Sequence, residues 1–206
     1  YLVDGALSRK STAGHFLTDG AILATGAALD HSMAKVVEKT LTMVEIFESP
    51  EIEQEDRLLI EEPLSTSRLL LLGEGITTLE TDLAFTAARE LAEKITPSTR
   101  LIAARGVITD SFITTLMAGA DLRGKTLVIE DATRLFVGTD LCRRLKRLDL
   151  DIRVLQKIKL IGLTINPFSP RGIHFDSVAL EEALRQGTSI PIYDVGRKDA
   201  SISKRT

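Results

Sequence analysis

The sequence predicts an α/β fold in which a mostly parallel, layered sheet carries helices on both faces, with a division into two lobes left open. Short apolar runs of strand character alternate with segments whose apolar residues recur at helical spacing. Such alternation favours parallel pairing of the strands through right-handed crossovers. The chain has 206 residues, of which 44% are hydrophobic. That length supports one large core or two small ones.

The first part of the chain contains two predicted strands and one predicted helix. Tyr1–Gly5 and Ala21–Ala27 are apolar runs punctuated by glycine, which is typical of buried strands. Residues 33–47 carry apolar side chains every three or four positions, which predicts a helix. Residues 49–57 are acidic and are predicted to form a solvated connector. Leu58–Leu64 is interpreted as a weak edge strand that a proline ends.

From Arg68 onward the alternation is more regular. Strands are predicted at Arg68–Gly73, Arg100–Arg105, Thr126–Glu130 and Ile190–Val195, and helices at Thr81–Ile95, Asp110–Gly119, Thr133–Leu148 and Ser177–Gln186. Two further strand-like runs lie within residues 152–166, without a turn signal between them. The expected domains are a nucleotide-binding lobe at 1–48, a connector at 49–67, a Rossmann-like lobe at 68–196 and a flexible tail at 197–206.

Composition excludes several classes of function. The formal net charge of −3 gives no electrostatic footprint for nucleic acid. No apolar run approaches the roughly 20 residues that span a bilayer. The single cysteine, Cys142, excludes internal disulfides and fits a reducing compartment. We therefore expect a cytoplasmic protein that binds neither nucleic acid nor membrane, and homo-oligomerisation stays open.

Polar residues follow most of the predicted strands. Because ligands bind at the carboxyl ends of the strands in open α/β sheets, these positions are candidates for a site. They are Thr25, Glu74, Arg105, Glu130, Asp131, Asn166 and Asp194. Asn166 precedes Pro167, and proline restrains the residue before it to extended geometry. Its carboxamide is therefore a candidate for contact with a nucleobase or a substrate carboxylate, and a rigid proline-rich turn is the alternative.

The opening segment has the composition of a metal and phosphate site. Asp4 ends an apolar run, and Ser8, Arg9, Lys10 and Ser11 follow it in one loop. A carboxylate suits a hydrated magnesium ion, and hydroxyl and basic side chains suit phosphate oxygens. The alternative is a buried strand followed by a solvated basic loop. We interpret the chain as the later portion of a longer nucleotide-binding protein whose phosphate loop lies upstream.

Two glycine motifs also suggest nucleotide binding, with less support than the opening segment has. Residues 119–126 match GxxxxGK[ST], but a helix leads into the motif and a strand leads out of it. A phosphate loop requires the reverse order, so this match is predicted to be inert. Gly73-Glu74-Gly75 supplies the first two glycines of a dinucleotide fingerprint, with Thr78 at the third place. A tight strand-to-helix turn is the alternative.

Several of these segments together resemble one known family. They are Val3-Asp4-Gly5-Ala6, Arg9-Lys10-Ser11, Thr18-Asp19, Ala21–Ala27, Glu130-Asp131-Ala132-Thr133, Asn166-Pro167 with Ser169-Pro170, and Tyr193-Asp194-Val195. The chain resembles the small, P-loop-type subunit of the reactivating factor of the adenosylcobalamin-dependent lysine 5,6-aminomutase. The resemblance implies an ATP-dependent, chaperone-like protein that exchanges damaged cobalamin from its target enzyme. Its partners would be a second reactivase subunit and the aminomutase.

The resemblance also implies roles for individual residues. Asp4 would face the magnesium–nucleotide complex, and Asn166 would contact the base. The family's N-terminal phosphate loop has no counterpart in this sequence, so ATP and magnesium are expected to bind tightly only to a full-length protein. Two other interpretations stay open: a Rossmann-like metabolic enzyme that uses the Gly73–Thr78 turn, and a protein-interaction module without a ligand.

Overall fold

The computed structural model describes residues 20–79 and 85–195, and within them the chain forms an α/β fold. The helices are α1 (Met33–Phe47), α2 (Gln54–Thr66), α3 (Phe85–Lys94), α4 (Asp110–Gly119), α5 (Thr139–Arg147) and α6 (Ser177–Arg185). The strands are β1 (Ala21–Gly26), β2 (Leu69–Leu72), β3 (Ile76–Leu79), β4 (Leu101–Ala104), β5 (Ile108–Thr109), β6 (Thr126–Ile129), β7 (Leu135–Phe136), β8 (Asp151–Val154), β9 (Leu160–Asn166) and β10 (Ile192–Asp194).

The chain divides into two compact units. Unit 1 comprises the described residues of Ile46–Ile158, and unit 2 comprises Gly20–Glu45 with the described residues of Lys159–Thr206. This division differs from the expected lobes, which place residues 68–196 together. The difference arises because β9 pairs with β1 and β10, so the last part of the chain completes the sheet that β1 begins.

Unit 1 contains a five-stranded sheet of order β3-β2-β4-β6-β8. β2 pairs antiparallel with both β3 and β4, whereas β4, β6 and β8 are parallel. Helices α4 and α5 connect the parallel strands, as a parallel sheet requires. A smaller parallel sheet joins β5 to β7. The carboxyl ends of β4, β6 and β8 therefore meet at one edge, which we call the carboxyl edge of unit 1.

The core of unit 1 covers both faces of its main sheet. α2 contributes Ile60 and Leu64, spaced by one helical turn, to a cluster with side chains from β2, β4 and β6. The residues that alternate with that cluster are also buried, including Leu69, Ile102 and Leu127. Strands buried on both faces have apolar side chains at successive positions, as in the Leu-Leu-Leu-Leu sequence of β2.

Unit 2 contains a three-stranded parallel sheet of order β1-β9-β10. Leu163, Ile165 and Ile192 are buried, together with Leu180 and Leu184 of α6. α6 contacts both β9 and β10. The hydroxyl groups of Thr25 in β1 and Thr40 in α1 lie 2.6 Å apart, which joins that helix to the sheet. The carboxyl ends of the three strands form a second edge with polar residues.

The structure confirms most predicted elements and corrects three. Leu58–Leu64 lies within α2 and is not a strand, because Ile60 and Leu64 are buried while Leu58 and Leu59 are exposed, as on an amphipathic helix. The helix predicted at Thr133–Leu148 is wrong in its first part. Asp131 caps a short 3-10 turn at Ala132–Arg134, β7 follows, and α5 begins only after Gly138.

The third correction concerns Gly73–Thr78. These residues form the turn and most of the second strand of an antiparallel hairpin, because Ile76–Leu79 pairs with β2. Gly73 N–H donates to the Gly75 carbonyl at 3.0 Å, which closes the turn. The predicted strand-to-helix turn is therefore wrong, and this segment lacks the element order of a dinucleotide fingerprint.

Candidate functional site

The carboxyl edge of unit 1 brings together residues from three loops. Ala104, Ile129 and Val154 are register neighbours at the ends of β4, β6 and β8. The residues that follow them therefore lie side by side. Leu155 N–H donates to the Ile129 carbonyl at 2.8 Å, and Gln156 N–H donates to the Glu130 carbonyl at 2.9 Å, which extends the pairing beyond the strands. Arg105 and Glu130 are thus held next to each other.

Glu130 is the central carboxylate of this edge. Its Oε1 lies 3.3 Å from Arg105 Nε, and its Oε2 accepts a hydrogen bond of 3.0 Å from Gly106 N–H. Arg134 Nε lies 3.4 Å from the same Oε2. The Glu130 side chain is 17% exposed. A carboxylate between two guanidinium groups, only partly screened by water, is attracted more strongly than one in an exposed surface pair.

Two arginines line a depression beside Glu130. Arg105 Nη1 donates to the Leu64 carbonyl at 2.9 Å, and Arg57 Nη2 donates to the Leu155 carbonyl. Among the described residues, Arg105 Nη2 and the Nε and Nη1 of Arg57 make no hydrogen bond. Both side chains therefore keep N–H donors available for a ligand, because a guanidinium carries five of them.

The depression has room for a small anionic group. It has a volume of about 140 Å³ and is lined by Arg57, Glu61, Leu64, Arg105, Glu130, Leu155 and Gln156. A second, more open depression of about 360 Å³ shares Leu64, Arg105 and Glu130 with it and extends along residues 64–68. The larger depression lies within the range of roughly 300–1,000 Å³ that small-molecule sites occupy, and the smaller one lies below it.

Helix α2 holds Arg57 at this site from both of its ends. In its first turn, Asp56 pairs with Arg100 through two hydrogen bonds, Nη1–Oδ2 at 2.8 Å and Nη2–Oδ1 at 2.5 Å. The Arg100 guanidinium lowers the pKa of the Asp56 carboxyl below its ordinary value, mainly through these hydrogen bonds. Near the other end, the Leu64 carbonyl accepts from Arg105. The site therefore depends on the position of α2 against the sheet.

The neighbouring predicted site residues have other roles. Asp131 is fully buried, and its Oδ1 accepts from the Thr133 N–H at 2.8 Å and from the Thr133 hydroxyl at 2.5 Å. It caps the 3-10 turn, so its role here is structural. Glu74 is exposed in the β2–β3 hairpin turn. Because Leu72 is the register partner of Leu101 at the start of β4, Glu74 lies at the edge opposite Glu130.

The carboxyl edge of unit 2 places Thr25 and Asn166 on neighbouring strands. Gly26 and Asn166 are register partners. Asn166 Oδ1 accepts a hydrogen bond of 3.0 Å from Phe168 N–H, and its carboxamide is exposed. This contact is the local turn that the proline-rich alternative anticipates. Contact between Asn166 and a base stays a prediction. Thr25 is engaged with Thr40 and has an internal structural role.

Asp30 follows β1 and has an unusually acidic side chain. Lys39 Nζ donates to Oδ2 at 2.8 Å and Ser32 N–H donates to Oδ1 at 3.0 Å, and these two hydrogen bonds lower its pKa to about 2. Because the folded pKa is depressed, the stabilisation is present above the unfolded value of about 3.9 and is lost as the pH falls through about 2.

We expect the Asp30 carboxyl signal in NMR to titrate near pH 2 in the native chain. Lys39→Met removes the strongest donor and should move the midpoint up toward the ordinary value. Lys35→Met removes an exposed charge from the same helix and serves as the control. A native midpoint close to 4, or equal effects of the two variants, would contradict this assignment.

The GxxxxGK[ST] match has the element order that the sequence indicates. α4 leads into it and β6 leads out of it. Lys125 is 7% exposed, and its ammonium group donates to the carbonyls of Thr96 at 3.2 Å and Thr99 at 2.5 Å. These contacts tie the start of β6 to the turn before β4. Lys125 is therefore a structural residue in this unit.

The predicted metal and phosphate residues Asp4, Ser8, Arg9, Lys10 and Ser11 lie outside the described residues. Within residues 20–79 and 85–195, no cluster of three or more His, Cys, Asp and Glu side chains has the arrangement of a metal site. In the same part of the chain, every helix is too short or too polar to cross a bilayer.

The fold and this site define an α/β protein with an arginine-lined cavity at the carboxyl edge of a mixed sheet. Comparisons of the chain with protein-family models, with curated proteins and with solved structures found no match. The chemistry of the site is therefore the main guide to its ligand.

Sequence reasoning named part of this site and missed the rest. Arg105 and Glu130 are recognisable because each follows a clear apolar strand. Arg57 was placed in a solvated connector, although Ile60 and Leu64 at helical spacing were a usable signal for α2. Arg134 was assigned to a long helix. Only the break at Gly138 and the cap at Asp131 indicate its actual position.

Proposed function

We propose that unit 1 binds a small oxyanion-bearing ligand at its carboxyl edge. The observation that carries the proposal is the convergence of Arg57 and Arg105 on one depression, with N–H donors that no group in the described residues uses. Guanidinium groups bind carboxylate and phosphate through paired, charge-assisted hydrogen bonds. The position at the ends of β4, β6 and β8 is where ligands bind in α/β sheets.

We further propose that this protein is an accessory protein of the reactivating kind that the sequence resemblance implies, and that binding of the ligand controls its action. In this proposal the ligand is ATP with magnesium, and the partners are a second reactivase subunit and a cobalamin-dependent aminomutase. The phosphate-binding chemistry of Arg57 and Arg105 is compatible with a nucleotide. A ligand-controlled accessory protein needs a site whose occupancy can be passed to a partner, and α2 contacts this cavity directly.

Calorimetry with inorganic phosphate, at low ionic strength, tests the oxyanion site. We expect a dissociation constant of about 1 mM for the 206-residue chain, because two partly exposed arginines supply only about 4 kcal/mol of binding free energy. Arg105→Gln should weaken binding about tenfold, which corresponds to about 1.4 kcal/mol. Screening by 0.5 M salt should weaken it further.

Arg123→Gln is the matched control, because Arg123 is an exposed arginine of unit 1 whose one ion-pair partner among the described residues is Asp121. Its phosphate affinity should equal that of the native chain. If both variants melt at the native temperature, a difference in their phosphate affinities reflects binding and not a loss of folded protein. The proposal fails if the native chain binds no phosphate at 10 mM, a concentration roughly tenfold above the expected dissociation constant. It also fails if Arg105→Gln and Arg123→Gln bind phosphate equally well.

A further inference from the structure

Three N–H donors surround the Glu130 carboxylate and form what we call the anion cradle. Arg105 Nε, Gly106 N–H and Arg134 Nε lie 3.3, 3.0 and 3.4 Å from its two carboxylate oxygens. Gly106 has a φ of 101°, which favours glycine and turns its N–H toward the carboxylate. A backbone N–H between two guanidinium groups is an arrangement that binds phosphate and carboxylate in many proteins.

We propose that the Glu130 carboxylate is a built-in competitor that occupies the inner anion position, and that a ligand phosphate takes its place on binding. This inference rests on the proposed oxyanion site. In the free protein Glu130 neutralises the arginines of the cradle. In the bound protein its side chain moves toward the more open depression, which it also lines, and the ligand receives the three donors.

The geometry of the cradle indicates that Glu130 fills it incompletely. Only the contact with Gly106 has ordinary hydrogen-bond length, and the two arginine contacts are long. The Nε atom of Arg134 is buried and makes no hydrogen bond to any group in the described part of the chain. Buried donors without a partner are rare, and their desolvation is unfavourable. An oxyanion that reaches Arg134 more closely would satisfy this donor.

The competition also selects the class of ligand. A monocarboxylate brings the same single charge as Glu130 and gains little by replacing an anion that is already tethered. A phosphate monoester carries close to two charges at neutral pH and offers three acceptor oxygens, one for each donor of the cradle. The site is therefore selective for phosphate over carboxylate.

The test compares Glu130→Gln with Glu62→Gln by calorimetric titration with inorganic phosphate and with acetate. Glutamine keeps an oxygen acceptor for Gly106 N–H but removes the charge that competes with the ligand. We expect phosphate to bind Glu130→Gln about tenfold more tightly than the native chain, because the ligand no longer has to displace a charged group from the cradle. Acetate should bind the native chain more weakly than phosphate does.

Glu62→Gln removes the same charge from an exposed side chain of α2 that lines neither depression. It should change phosphate affinity less than about twofold, as expected for an exposed charge. Equal tightening in both variants would overturn the inference, because loss of any negative charge would then suffice. If the native chain binds phosphate but Glu130→Gln binds it no more tightly, the inference that Glu130 competes with the ligand is wrong, and the oxyanion site is unaffected. Absence of phosphate binding in all three proteins overturns the oxyanion site as well.

Discussion

Gly26→Ala is expected to destabilise unit 2 by about 4 kcal/mol, in the range of the largest single-residue effects. Gly26 has a φ of 152°, and a Cβ atom there would lie 1.9 Å from the carbonyl oxygen of Asn166. That oxygen belongs to the backbone of β9 and accepts a hydrogen bond of 3.0 Å from Ala27 N–H. It cannot move away without separating β1 from β9. Urea denaturation and hydrogen exchange of the β1 and β9 amides measure the effect.

Gly172→Ala is the matched control for this prediction. Gly172 lies in the same unit with a φ of 80°, but a Cβ atom there meets nothing within 4 Å. The loss of stability in Gly172→Ala therefore measures only the backbone strain of a non-glycine residue in a left-handed conformation, which is about 1 kcal/mol. If the two variants lose equal stability, or if the β1 amides of Gly26→Ala keep native protection, the close approach of β1 and β9 at this position is wrong.

Lys125→Ala is expected to lower the stability of unit 1 by about 3 kcal/mol and the melting temperature by about 8 °C. The substitution removes the ammonium group that serves the carbonyls of Thr96 and Thr99 and leaves both of them without this donor. It also removes a buried aliphatic stem. Lys125→Met keeps most of the stem, so the difference between the two variants measures the contribution of the ammonium group.

The same variant tests whether the GxxxxGK[ST] match is inert. Phosphate affinity of folded Lys125→Ala should equal that of the native chain, because Lys125 serves internal carbonyls and lies at the amino end of β6, opposite Glu130. A tenfold loss of phosphate affinity in protein that is still folded would show that the motif binds phosphate after all. In domains of this size the melting temperature falls by roughly 2–4 °C for each kcal/mol of lost stability. A melting temperature less than about 1 °C from the native value would therefore contradict the structural role of Lys125.

The sequence alone determined the elements with strong local signals. α4 was predicted with its observed bounds, and the structure shows local signals that account for them: Thr109 caps its first turn, and Phe112, Ile113 and Leu116 are buried at helical spacing. Strands β2, β4 and β6 are uninterrupted apolar runs between polar residues, so their positions were evident. The places of Arg105 and Glu130 followed from the strand ends, and the order of α4 and β6 identified the motif between them as an ordinary turn.

Only the tertiary structure decided which strands pair, in which direction, and what faces the site. Ile76–Leu79 becomes a strand because β2 offers it a free edge, and no local signal distinguishes that pairing from a strand-to-helix turn. β9 joins β1 through hydrogen bonds between segments far apart in the chain, which moved the domain boundary. Arg57 meets Arg105 only because α2 packs across the sheet and is fixed by Asp56–Arg100. Local periodicity in the sequence indicates which side chains are buried, whereas long-range contacts select the partners that bury them. The anion cradle around Glu130 consists of such long-range contacts.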